Sequence, residues 1–181
     1  PSLDGAKTNF KTVMSYGDYL NIDTVLDQQN CITGAHDEML FIVQHQTSEL
    51  WLKQILHEML AARTALETGN MPSMLKMLSR VSRIFEQLNN QWDVLRTMTP
   101  ADYTHFRDAL GPSSGFQSYQ YRMVEFILGN RNPAMLKPHS HVPKVEKMLQ
   151  LELSRTSFYD EVIKFLFNTL DGTTKDMPVP Q

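Results

Sequence analysis

From His36 to Gly69 the chain runs HDEMLFIVQHQTSELWLKQILHEMLAARTALETG without a proline, and no other stretch limits the fold as much. It is dense in Leu, Met, Ala, Glu, Gln and Lys, which lose little side-chain freedom in a helix, and it ends on glycine, the usual helix stop. The run predicts one long helix. At ~100° per residue, Leu40, Phe41, Ile42, Val43, Leu50, Trp51, Leu56 and Leu60 point all round its axis, so the helix is expected to be covered on most sides. By the same arithmetic Phe41, His45, Ser48, Leu52 and Met59 fall within roughly 60° of one another, which puts an imidazole on a mostly apolar face. A histidine there is either a satisfied core residue or a member of a site. Glu49 lies one turn on, but two ligands without a third make no metal site, and His57 belongs to another side of the helix.

The flanking sequence supplies further helices. Asn70 and Pro72 start a second one whose Met74, Leu75, Met77, Leu78, Val81, Ile84, Phe85, Leu88, Trp92 and Leu95 recur at helical spacing, an antiparallel partner reached through a short connection. Thr99-Pro100-Ala101-Asp102 is a capping signal, and Gly111-Pro112 ends the helix it opens. SYQYRMVEFIL, stopped by Gly129, predicts another, as does the stretch from Pro143 to about Leu153. Ser157 with Asp160 caps a last helix expected to end at Asp171-Gly172. Before the long helix, SYGDYLNIDTVLDQQ looks like a short amphipathic piece broken by turn residues. RNPAMLKPHSH is expected to be irregular, with His139 and His141 solvated rather than holding a metal. Neither strand alternation nor a repeat occurs. The predicted fold is all-α, a helical bundle of two long antiparallel helices plus shorter ones: an arm over 1–15, one domain over 16–172 and a polar tail over 173–181.

Composition narrows the function by exclusion. A length of 181 residues fits one domain with a sizeable core. A net charge of −3 gives no general attraction to nucleic acid or anionic membrane, so neither is an expected partner. There is no apolar window of transmembrane length, and PSLDGAKTNF lacks the features of a signal peptide; a cytoplasmic location is expected. The lone cysteine, Cys31, excludes an internal disulfide and a thiolate cluster, and reads as structural or incidental.

Two places could carry chemistry beside His45. Tyr103, Phe106 and Arg107 stand at i, i+3 and i+4 of one predicted helix, and an arginine beside aromatics suits a small carboxylate that its planar fork can grip twice. The alternative is a surface ion pair. Ser113-Ser114-Gly115 then offers hydroxyls and backbone N–H groups.

The run HDEMLFIVQHQTSELWLKQILHE, with YGDYL before it and DYTHFRDALGPSSGFQSYQYR after it, closely resembles the tryptophan 2,3-dioxygenase family over Tyr16 to about Phe165. The resemblance implies a haem enzyme (haem b, ferrous) that adds O2 across the indole C2–C3 bond of L-tryptophan to give N-formylkynurenine. It implies a distal histidine at His45 near the indole nitrogen, Phe41 against the indole, and Arg107 on the substrate carboxylate with Tyr103 beside it. It further implies Ser113, Ser114 and Gly115 near the haem, with Phe41 part of that pocket too. Tyr16 and Tyr19 match a pair that reaches into a neighbouring subunit of a homotetramer exchanging N-terminal segments. The family's proximal haem histidine sits in a later motif resembling Arg-Phe-Arg-His, which does not occur here, so no metal ligand is expected within these residues and the chain alone is expected to bind haem weakly or not at all. A non-catalytic helical module binding an indole amino acid is the alternative, and haem content separates the two.

Overall fold

A computed structural model describes residues 5, 9, 10 and 12–175, with side chains as far as residue 169. Among the described residues there are helices, short 3-10 turns and no strand, so the fold is all-α. In chain order the helices are α1 Tyr16–Leu20, α2 Ile22–Leu26, α3 Glu38–Glu67, α4 Met71–Asn90, α5 Trp92–Leu95, α6 Pro100–Arg107, α7 Tyr119–Leu128, α8 Pro143–Ser154 and α9 Phe158–Lys175. Most of the expected arm over 1–15 and residues 176–181 of the expected tail lie outside the described residues.

Local chemistry sets the ends of these helices. α3 runs for 30 residues, about 45 Å at ~1.5 Å each. It stops where Gly69 takes φ +70°, which lets Gly69 and Asn70 donate to the carbonyls of Leu66 and Ala65 at 3.0 and 2.8 Å and satisfies two carbonyls the helix would otherwise leave open. The Asn70 side chain then accepts from the Ser73 amide at 3.2 Å and starts α4. Thr99 and Asp102 close a reciprocal capping box at the head of α6, and Ser157 with Asp160 holds the head of α9.

The core surrounds the C-terminal half of α3. Leu52, Ile55, Met59, Ala62 and Leu66, spaced by three or four, are buried against Val81 and Ile84 of α4, Phe126 and Ile127 of α7, Leu149 of α8 and Phe158. Glu58 of α3 pairs with Arg80 of α4, and Ser48 with Gln91 just beyond α4, so positions later in one helix meet positions earlier in the other. Arg63 is buried between two carboxylates, with Nη2 to Glu152 at 2.8 Å and Nε to Glu161 at 3.1 Å, tying α3 to α8 and α9. Burial opposes its charge, yet Glu152 and Glu161 hold its pKa above the ordinary guanidinium value. Glu38, at the start of α3, accepts from the Thr33 hydroxyl at 2.5 Å and from the Ile32 and Thr33 amides at 2.7 and 2.8 Å, which keeps its carboxyl below the usual range.

Four expectations need correction. Within this chain α3 is covered mainly on one side: Met39, Val43, Leu50, Trp51 and Leu60 are exposed, because the packed helices meet only the Leu52–Ile55–Met59 face. Pro133–His139 is ordered as a 3-10 run rather than irregular, started by the Asn132 side chain accepting from the Ala134 amide. His139 is buried rather than solvated, at 3% exposure; burial first, then the positive Arg122 and His141, push its pKa down. The last helix continues through Gly172 to Lys175. Among the described residues no helix is long and apolar enough to cross a membrane.

Candidate functional site

His45 sits where α3 meets α6. Because α6 begins at the Thr99 cap, Tyr103 and Phe106 fall one turn apart on its inner side, and α3 presents Phe41 and His45 with the same offset. The rings interlock: Phe41 lies 5.5 Å from Phe106 and 5.9 Å from Tyr103, Tyr103 meets Phe106 edge-on at 5.3 Å, and His45 stacks on Phe41 at 4.1 Å. The Nδ1 atom of His45 is 2.7 Å from the Phe41 carbonyl oxygen. A carbonyl only accepts, so Nδ1 carries the hydrogen and Nε2 of the neutral ring is left with its lone pair.

His45 lines a cleft of about 730 Å³. Its floor is α3, with His45, Ser48, Glu49 and Leu52; one wall carries Phe85, Leu88, Gln91 and Trp92, and the other Gly115, Phe116, Ser118, Tyr121 and Arg122. Arg122 is the only cation among the described lining residues. It is 6% exposed, pairs with Glu125, sits 5.8 Å from the centre of the Phe116 ring and 6.0 Å from that of Tyr121, and keeps a buried Nε without a partner. A smaller hollow of about 370 Å³ is lined by Phe41 and Tyr103 with Leu95, Met98, Thr99 and Pro100. The stacked Phe41 and His45 rings connect the two hollows.

The structure thus brings Phe41, His45 and Tyr103 together and puts Gly115 on the same cleft as His45. Of the other candidates, Arg107, Ser113, Ser114, Tyr16 and Tyr19 line neither hollow, although Arg107 follows Tyr103 by one turn of α6. Arg107 is exposed and donates from Nη1 to the Gly111 carbonyl at 2.9 Å. Ser113 and Ser114 are exposed; the Ser114 hydroxyl accepts from the Phe116 amide at 3.3 Å and starts the 3-10 turn Gly115–Gln117. Tyr16 and Tyr19 of α1 are 76% and 75% exposed, so their rings have no seat among the described residues. The carboxylate of Glu49 accepts from Gln120 at 2.7 Å, and no group of three potential metal-binding side chains occurs among the described residues. Sequence reasoning missed Gln91, Trp92, Phe116, Tyr121 and Arg122 as lining residues. Only Arg122 had a visible signal, a basic residue set among aromatics in SYQYR.

Largely apolar clefts with a few polar groups are where small molecules bind, and this one sets an imidazole beside an aromatic cluster. The family model described as tryptophan 2,3-dioxygenase matches residues 1–157, and the chain belongs to that family. A protein named tryptophan 2,3-dioxygenase from Ruegeria sp. (strain TM1040) is 67% identical over 181 residues, all of this chain and 65% of its own length. Relatives of the same name from Bradyrhizobium diazoefficiens and Paraburkholderia phytofirmans are 58% and 55% identical, covering 91% and 89% of this chain and 59% and 53% of theirs. The chain therefore spans roughly three-fifths of the length of these curated relatives.

Proposed function

We propose that these residues form the distal side of a haem dioxygenase acting on L-tryptophan, adding both atoms of O2 across the indole C2–C3 bond to give N-formylkynurenine. Both oxygen atoms stay in the product, so turnover consumes no external reductant. The observation that carries the reading is the commitment of His45 Nδ1 to the Phe41 carbonyl. It leaves Nε2 as an acceptor for a donor such as the indole N–H, next to the aromatic rings of Phe41 and Tyr103. Phe41 and Tyr103 orient the indole by ring contact and exclude water from it. Arg107 spends one N–H on Gly111 and keeps the rest of its fork for the substrate carboxylate. Tyr16 and Tyr19 close the pocket of a neighbouring subunit in a homotetramer, which accounts for aromatic rings exposed on their own chain.

The cleft fits a haem. Leu52, Phe85, Leu88, Trp92 and Phe116 would face the porphyrin, Gly115 keeps its edge of the wall free of a side chain, and the partnerless Nε of Arg122 would donate to a propionate. Bound haem would supply the activation of O2, which the side chains on the cleft cannot. His45 is the one histidine on the cleft among the described residues, and its role is to hold substrate rather than iron. No iron ligand is assigned among these residues.

A chimera tests this reading: the Ruegeria relative with its matching stretch replaced by this chain. It should take up haem and convert L-tryptophan to a product heavier by two oxygen atoms. A chimera that folds and binds haem but leaves tryptophan unchanged, while the parent converts it, would overturn the reading.

A further inference from the structure

The two walls of the cleft beside His45 are each fastened to α3 by one glutamine. Gln91, between α4 and α5, donates from Nε2 to the Ser48 hydroxyl at 2.5 Å, and that hydroxyl donates on to the Gln44 carbonyl at 2.9 Å. Gln120, in the first turn of α7, donates to the Glu49 carbonyl at 2.9 Å and to the Glu49 carboxylate at 2.7 Å. The anchors are consecutive residues one turn beyond His45. Trp92, next to the first glutamine, and Tyr121, next to the second, both line the same cleft.

The apolar core reaches this end of the first wall only through Phe85 and Leu88, which pack against it while staying half-buried. The buried residues of α4 are Met74, Val81 and Ile84, and from Phe85 to Trp92 every side chain is half-buried or exposed. Tyr119 and Gln120 at the head of α7 are likewise exposed and half-buried. At this end side-chain hydrogen bonds add to that partial packing, and removing one such bond costs a factor of about 2 to 13 in the equilibrium it governs.

We infer that Gln91 and Gln120 are positioning residues that set the width of the cleft beside His45, and so its grip on a flat ligand. The identity of that ligand rests on the haem reading above; the two latches do not. Neither glutamine has to touch the ligand for this role.

The chain has two tryptophans, so Trp51→Phe leaves Trp92 as the only reporter, placed on the wall in question. In that background Gln91→Ala, Gln120→Ala and Gln120→Lys are compared with Gln54→Ala, whose amide bonds Glu58 away from the cleft. Two quantities are read: acrylamide quenching of Trp92, and hemin affinity from the loss of Trp92 emission on titration. Circular dichroism and thermal unfolding check that each variant is folded. Gln91→Ala should raise the quenching of Trp92, and both alanine variants should weaken hemin binding about three- to tenfold. Gln120→Lys, whose ammonium can reach the same Glu49 oxygens, should return the affinity to within about twofold of the parent, and Gln54→Ala should change neither quantity. Folded Gln91→Ala and Gln120→Ala proteins with parental quenching and parental hemin affinity would overturn the inference. If the parent takes up no hemin, as a chain without an iron ligand allows, the haem reading rests on the chimera and Trp92 decides the latch alone: raised quenching in Gln91→Ala supports it and unchanged quenching overturns it.

Discussion

The two halves of α3 share one helix and a similar apolar content, yet they live in different surroundings. Beyond Leu52 the helix is embedded, with Ile55 and Ala62 fully buried and Arg63 held between Glu152 and Glu161. Before it, Val43 and Leu50 stand 43% and 57% exposed, and His45 is half-buried at the edge of an open cleft. Propensity explains why both halves are helical, but coverage depends on which other elements arrive, and the buried residues of α4, α7 and α8 pack on one half. The embedded half carries the stability. The open half carries the candidate chemistry and leaves an apolar surface of the kind that marks a place for another surface to dock.

The largest expected effect belongs to the embedded half. Arg63→Ala leaves two carboxylates facing an empty site, and unfolding in urea should show a loss of about 3–5 kcal/mol. A loss under about 1 kcal/mol would mean that the network is solvated. Truncating core and surface positions of the same helix sharpens the contrast: Ile55→Ala should cost about 2–5 kcal/mol, and Leu50→Ala within about 0.5 kcal/mol in the isolated chain. Equal losses at the two sites would erase the distinction between the halves.

On the open half, Arg107→Ala in the chimera should reduce kcat/KM for L-tryptophan by about 2–5 kcal/mol, with Arg107→Lys recovering only part. Tryptamine lacks the carboxylate and should be nearly indifferent to the change; an equal loss for both compounds would remove Arg107 from the substrate. A smaller effect comes from His139. Its folded pKa lies below the value of about 6.5 of an unfolded chain, so the unfolded state takes the proton first. The stability it contributes is fully present above about pH 6.5 and is lost as the pH falls through that value toward the folded pKa. Urea midpoints measured from pH 8 to pH 5 should fall more steeply for the parent than for His139→Asn, and parallel profiles would contradict the assignment.

What could be read from the sequence was what is decided locally. The caps at Thr99 and Ser157 and the stop at Gly69 are short-range hydrogen-bonding patterns, and they appear where the sequence puts them. The shared face of Phe41 and His45, and that of Tyr103 and Phe106, follow from helical spacing alone. That the two pairs meet depends on how α6 folds back on α3, which no spacing encodes. The same holds for Arg63 with Glu152, for the burial of His139 behind a 3-10 run, and for a cleft whose walls come from four separate segments. Gly172 shows the reverse error: a local stop signal is overridden, and α9 continues past it.

The central claim is that His45 belongs to the substrate side and that these residues supply no iron ligand. Hemin titration of the isolated chain, followed by visible absorption in the parent and in His45→Ser, tests it most directly. The account predicts weak binding with the same spectrum for both proteins and affinities within about twofold, because a residue that only hydrogen-bonds a ligand is not an axial ligand. Tight stoichiometric hemin binding by the parent, lost or spectrally altered in His45→Ser, would contradict it.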